Sequence, residues 1–375
     1  MNTEIALNNI VNYFCDILEL PERDLPSRLE GHWDDVLRLA NDQNVYFYLA
    51  AWMLEHWDGY LTDSMKERFV SDLEWNKARN VVLEDEIVEL AQVFRQAGVK
   101  VLFIKGAAGI VRKLYPQKLR FLSDIDIFVA EKDVHKAHNC LLEHGYHTKE
   151  VNFQNVKRHH FVPYYNQNKL CGLELHIDPY HQNYLSRGQL VQFWDKAECT
   201  EFHGENIHFP SIADHAWILI RTELLSRICL PRLKDAIELS LILEKYDGSW
   251  LEEVINKATE QNVPNAVYGM LNSAHKYVNP CNSTVISECN GKYSQWEEWS
   301  VAYRKKHLLV ENLSYNSEKD LAALRFYPAN NIISKVKFIF WLLGYHYLIY
   351  LINVLTKIHL YKSLRIIKRL IFNKK

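Results

Sequence analysis

The chain lacks most of the marks of a secreted, fibrous or disordered protein. Its seven cysteines (Cys15, Cys140, Cys171, Cys199, Cys229, Cys281 and Cys289) are an odd number and include no Cys-x-x-Cys or comparable zinc spacing. That argues against a disulfide framework and fits a reduced, cytoplasmic compartment. No basic stretch precedes an apolar run at Met1-Asn2-Thr3-Glu4-Ile5, so no secretory signal is expected. There is no internal repeat and no low-complexity segment, and with 48% apolar and 24% charged residues among 375, disorder is not expected either. Acidic residues are missing from 331–375, a segment that holds seven Lys and two Arg. Because the whole chain carries −2, this tail of +9 leaves −11 on residues 1–330, a split that predicts a basic tail with its own partner.

What is present centres on Ser123-Asp124-Ile125-Asp126-Ile127-Phe128-Val129, which reads as a buried strand. Side chains alternate along a strand, so Asp124 and Asp126 share one face while Ile125 and Ile127 enter the core. Two carboxylates held side by side repel each other and lose hydration. A divalent cation relieves both costs, and oxygen-only ligands favour Mg²⁺ or Mn²⁺. Upstream, the apolar run Val99 to Ile104 stops at Lys105-Gly106, and Ala107 to Leu114 reads as a helix. A strand that ends in Gly before a helix can receive phosphate, and Lys105 adds a point charge there. Downstream, Leu173-Glu174-Leu175-His176-Ile177-Asp178 alternates with period two, placing Glu174, His176 and Asp178 on one face. If that strand lies beside the Asp-x-Asp strand, Glu174 becomes a third carboxylate.

The series Ile104-Lys105-Gly106, Leu114-Tyr115-Pro116, Arg120, Ser123-Asp124-Ile125-Asp126 and Glu174-Leu175-His176 resembles the uncharacterised nucleotidyltransferase family of the polymerase-β superfamily. The likeness runs from about Trp33 to about Leu243 and takes in Arg232-Leu233-Lys234-Asp235-Ala236. It implies an α/β (α+β) fold, a mixed sheet with flanking helices, and transfer of a nucleoside monophosphate from a nucleoside triphosphate held on Mg²⁺ or Mn²⁺. By the same resemblance Asp124, Asp126 and Glu174 are the catalytic metal ligands. Lys105, Gly106, Arg120 and Ser123 hold the nucleotide, and His176 touches the acceptor or a phosphate. The chain departs from the superfamily in having Gly106-Ala107 where Gly-Ser or Gly-Gly is usual, and Glu at 174 where Asp is frequent.

Four regions follow from the patterns: helical 1–95, a nucleotidyltransferase-like core at 96–210, helical 211–330 and a basic, aromatic-rich helical tail at 331–375. Within them, Lys132 to His144 reads as a helix closed by Gly145. Ser211 reads as an N-cap, and the strands near 161–165 and 173–178 read as a hairpin. His159-His160 and His176 with His181 do not suggest a zinc cluster, because adjacent strand histidines point to opposite faces. The 19 uncharged residues from Phe338 to Thr356 match a short membrane span in length, but His346 and Asn353 interrupt them. The richer basic flank lies C-terminal, an orientation that would put the core outside the cell. A helix buried in the protein, or one lying on an anionic membrane surface through 335–375, avoids that conflict, and nucleic acid is a further partner for the same charge.

The leading functional expectation is a Mg²⁺-dependent nucleotidyltransferase acting on a sugar, a small metabolite, a protein side chain or an RNA end. Its rivals are a catalytically inactive nucleotide-binding or scaffolding protein of the same fold and an RNA-modifying, toxin-like nucleotidyltransferase.

Overall fold

Four helices precede the first strand: α1 (Thr3–Ile17), α2 (Trp33–Asp42), α3 (Tyr46–His56) and α4 (Asp63–Gln96). A three-stranded sheet follows, made of β1 (Val101–Phe103), β2 (Asp124–Val129) and β3 (Gly172–His176). Helix α5 (Lys105–Val111) leaves β1, and α6 (Val134–Glu143) leaves β2. Next come a short helix α7 (Leu190–Asp195), a hairpin of β4 (Glu198–Phe202) and β5 (Glu205–Phe209), and helices α8 (Ile212–Arg221), α9 (Leu233–Lys245) and α10 (Ser249–Glu260). These elements come from a computed structural model, which describes residues 3–18, 20, 28–149, 163–177, 190–221, 232–260, 267, 270, 271 and 274. All of them belong to one compact unit, Met1–Pro328.

Strand β2 is central, antiparallel to β1 and parallel to β3. This is the mixed sheet with flanking helices that the sequence predicts. Both of its faces are covered. Val101, Phe103, Ile125, Ile127, Leu173 and Leu175 point to one side, against Leu83, Ile87, Leu90 and Phe94 of α4 and Ala137 and Leu141 of α6. Leu102 and Phe128 point to the other, toward Trp217 and Ile220 of α8 and Val254 of α10. Each of the valine, leucine, isoleucine and phenylalanine side chains among them contributes about 1.5–3 kcal/mol by leaving water. A further core joins α1, α2 and α3 to Leu233, Ala236, Ile237 and Leu241 of α9.

Local signals act as their chemistry dictates. Ser211 Oγ accepts from the Asp214 backbone N–H at 3.1 Å and donates to the Asp214 carboxylate at 2.8 Å, capping α8. Gly145 adopts φ +80° just past α6, the left-handed conformation that ends a helix most cheaply in glycine. Tyr164 and Leu173 exchange backbone hydrogen bonds at 2.8 and 2.9 Å, the described part of the expected hairpin.

Other details differ from the sequence reading. Helix α5 begins at Lys105 rather than Ala107 and ends at Val111, so Lys105 and Gly106 are its first two residues. The hairpin β4–β5 went unpredicted, although Phe202, Ile207 and Phe209 keep a period of two around a two-residue His203-Gly204 turn with φ of 48° and 81°. His159, His160, Asp178, His181, the run 338–356 and the tail at 335–375 lie outside the described residues. Among those described, no helix is long and apolar enough to cross a membrane.

Candidate functional site

The parallel pairing of β2 and β3 sets Asp124 opposite Gly172, Asp126 opposite Glu174 and Phe128 opposite His176. Partners in register on parallel strands share a face, so two strands far apart in sequence bring Asp124, Asp126, Glu174 and His176 together. Asp126 is the hinge of the group. Its Oδ1 lies 2.6 Å from His176 Nε2 and 2.5 Å from Lys105 Nζ. His176 Nε2 is also 3.6 Å from Glu174 Oε2. One ligand atom each from Asp126, Glu174 and His176 falls within 4.8 Å of the others, a spacing able to hold a metal ion. Asp124 stands outside that trio, half-buried, accepting a hydrogen bond from Ser123 Oγ at 2.9 Å.

Electrostatics separate the two aspartates. Burial works to raise the Asp126 carboxyl, but Lys105 and His176 prevail and hold it well below the usual carboxylate range. Burial and the neighbouring Asp126 push Asp124 up, with Ser123 and Lys105 only partly offsetting them. Burial would lower the Lys105 ammonium, yet Asp126, Glu174 and Asp124 together raise it. Lys105 also adopts φ 52°, a left-handed conformation costly for a residue with a Cβ.

A cavity of about 130 Å³ opens beside these residues. Lys105, Gly106, Arg120, Ser123, Asp124 and Asp126 line it, and Arg232, Lys234, Asp235 and Glu238 close it from the start of α9. Glu174 and His176 are not part of its wall; His176 is 1% exposed and its place is beside Asp126. Gly106 lies so near Leu122 that a Cβ there would meet its side chain at 3.0 Å.

Arg120 is not a surface residue. It is buried, its Nη1 donates to the Phe121 carbonyl at 2.5 Å, and its Nε sits 3.8 Å from Glu238 Oε2. The other Glu238 oxygen lies 3.0 Å from His215 Nε2. Asn76 and Asn80 of α4 place this segment by donating to the backbone carbonyls of Lys118 and Arg120 at 2.8–3.1 Å. Asp235 pairs with Lys234. Sequence reasoning missed His215, Glu238 and the two asparagines, because no local spacing links α4, residue 120 and α9.

A family model described as an uncharacterised nucleotidyltransferase matches residues 30–279, two thirds of the chain. The chain belongs to this nucleotidyltransferase family. Among solved structures, an antigenic nucleotidyltransferase-like protein from Paracoccidioides brasiliensis is 12% identical, with a TM-score of 0.34 over 55% of this chain and 96% of that one. No curated protein matches the chain.

Proposed function

We propose that the chain transfers a nucleoside monophosphate from a nucleoside triphosphate to an acceptor, with release of pyrophosphate and with the aid of a divalent cation. The observation that carries this reading is the in-register pair Asp126–Glu174, with Asp124 two residues away on the same face. Three carboxylates are hard oxygen donors of the kind Mg²⁺ and Mn²⁺ take, and Asp126 is kept ionised by its neighbours. When bound, such a cation neutralises phosphate charge and stabilises the charge spread over the transferring group.

The protein's own groups do the rest. His176, bonded to Asp126 Oδ1, fixes the orientation of that carboxylate. Glu174, half-buried and 3.6 Å from His176, accepts the proton of the attacking acceptor. Lys105 and Arg120 line the cavity and offset triphosphate charge there, with Gly106 and Ser123 completing the wall. The acceptor is a sugar, a small metabolite, a protein side chain or an RNA end. Incubating the protein with labelled triphosphates and a cell extract identifies it by which species takes the label.

Calorimetry with each triphosphate and Mg²⁺ tests the reading. Metal-dependent nucleotide binding that disappears in Asp126→Ala is the expected result; binding indifferent to metal, or to the substitution, overturns it. A second reading, a nucleotide-binding module without turnover, draws support from Lys105, which already sets a positive charge against Asp126.

A further inference from the structure

We infer that Lys105 is the resident cation of the carboxylate cluster, displaced when a divalent metal binds and delivered by that displacement to the polyphosphate. The inference rests on the metal-binding reading above and adds how the site is loaded. Asp126 Oδ1 accepts from Lys105 Nζ at 2.5 Å and from His176 Nε2 at 2.6 Å, so both lone pairs of that oxygen are in use. Glu174 lies in register beside Asp126, and Asp124 lines the same cavity as Lys105. A doubly charged ion brought among these carboxylates meets that ammonium at close range, and like charges a few ångströms apart in a partly desolvated site repel strongly.

The side chain is suited to leave. Lysine is a compact charge on a flexible stem, and this one is 27% exposed at the wall of the cavity, whereas Arg120 is 10% exposed and held by Glu238. Its way out leads into the cavity that Gly106, Arg120 and Ser123 also line, where phosphate oxygens would meet it. Metal binding would then cost the protein one ion pair and give the nucleotide a new one. Metal and triphosphate therefore favour each other's binding, as linkage requires.

The test is a Mn²⁺ titration of the full chain followed by the paramagnetic resonance of the free ion, at one pH, in the wild type, Lys105→Met and Lys105→Arg, with melting curves to confirm folding. Losing the internal charge should tighten Mn²⁺ binding by about tenfold or more in Lys105→Met, while Lys105→Arg stays as weak as the wild type. Should Lys105→Met fail to fold, Lys105→Gln removes the charge and retains a hydrogen-bond donor for Asp126. Equal Mn²⁺ affinity in a folded neutral variant and the wild type overturns the displacement and leaves the metal site standing. No Mn²⁺ binding in any of the proteins overturns both.

Discussion

Two buried carboxylates, Asp126 and Glu238, each sit between a histidine and a basic side chain, yet their surroundings differ in charge. At Asp126 the partners are His176 and Lys105; at Glu238 they are His215 and Arg120. Around Asp126 stand two more carboxylates, Asp124 two residues along the strand and Glu174 in register beside it, with Lys105 paired to Asp126. Around Glu238, Arg120 faces Glu238 and Lys234 pairs with Asp235. The Glu238 cluster is built of ion pairs and reads as a brace between the 118–121 segment and α9. At the Asp126 cluster carboxylates outnumber the one lysine, an excess of the kind a divalent cation offsets. Asp124 is pushed up first by burial and then by Asp126, whereas Glu238 is held down to about 2 by His215 and Arg120 in spite of its burial.

The largest expected effect breaks the brace. Glu238→Ala strands the buried Arg120 and should cost about 3–5 kcal/mol in urea unfolding. Asp126→Ala should cost less, because Lys105 can turn to solvent, while abolishing Mn²⁺ binding. If the two losses are equal, the contrast between brace and metal site fails. Next comes Gly109, where a Cβ would lie 2.1 Å from the Tyr115 hydroxyl. Tyr115 lies in the brace, its ring under Arg120 at 6.0 Å. Gly109→Ala should therefore cost about 1–3 kcal/mol by overpacking, with Mn²⁺ affinity unchanged.

Acid titration separates the clusters by sign. Glu238 has a folded-state pKa below its usual 4.5, so its stabilisation is full above 4.5 and drains away as pH falls toward about 2. Glu238→Gln should flatten that part of a plot of urea midpoint against pH. Asp124 is shifted the other way, so its contribution to stability improves as pH falls through its raised pKa. Asp124→Asn, which keeps an acceptor for Ser123, should raise the metal-free melting temperature slightly and weaken Mn²⁺ binding. A drop in melting temperature would show that Asp124 is structural. The smallest effect belongs to the exposed pair Lys77–Glu74 on α4, where Lys77→Ala should shift stability by less than about 0.5 kcal/mol.

How much of this could be read in the chain depended on distance along it. Alternation alone assigned Ile125 and Ile127 to the core and Asp124 and Asp126 to the opposite face, and it did the same for Leu173, Glu174 and Leu175, because strand period is a local property. Ser211 and Gly145 were legible as caps for the same reason. The 34-residue length of α4 was not, since Asn76, Arg79, Asn80 and Glu86 interrupt its buried face. Those polar residues are inside because their partners are elsewhere: Asn76 and Asn80 bond carbonyls near residue 120, and Tyr146 donates to Glu86 at 3.2 Å. The pairing of Arg120 with Glu238 spans 118 positions, and no periodicity encodes it. Lys105 was legible as a basic residue at a turn. Its bond to Asp126 was not, because that depends on a backbone φ of 52°.

The register of β2 against β3 has a consequence for how the molecule is made. Forty-eight positions separate Asp126 from Glu174, and the strands that carry them are parallel, so no hairpin can zip them together. Loop closure must come first, which makes this a slow, late contact during folding. A nascent chain that has reached Val129 holds only the Asp-x-Asp half of the site. A slip of one residue when β3 docks would turn Glu174 into the apolar layer and bring Leu173 or Leu175 up beside Asp126. Leu173 and Leu175, both fully buried, penalise that error. They act as proofreaders of the site without touching its chemistry.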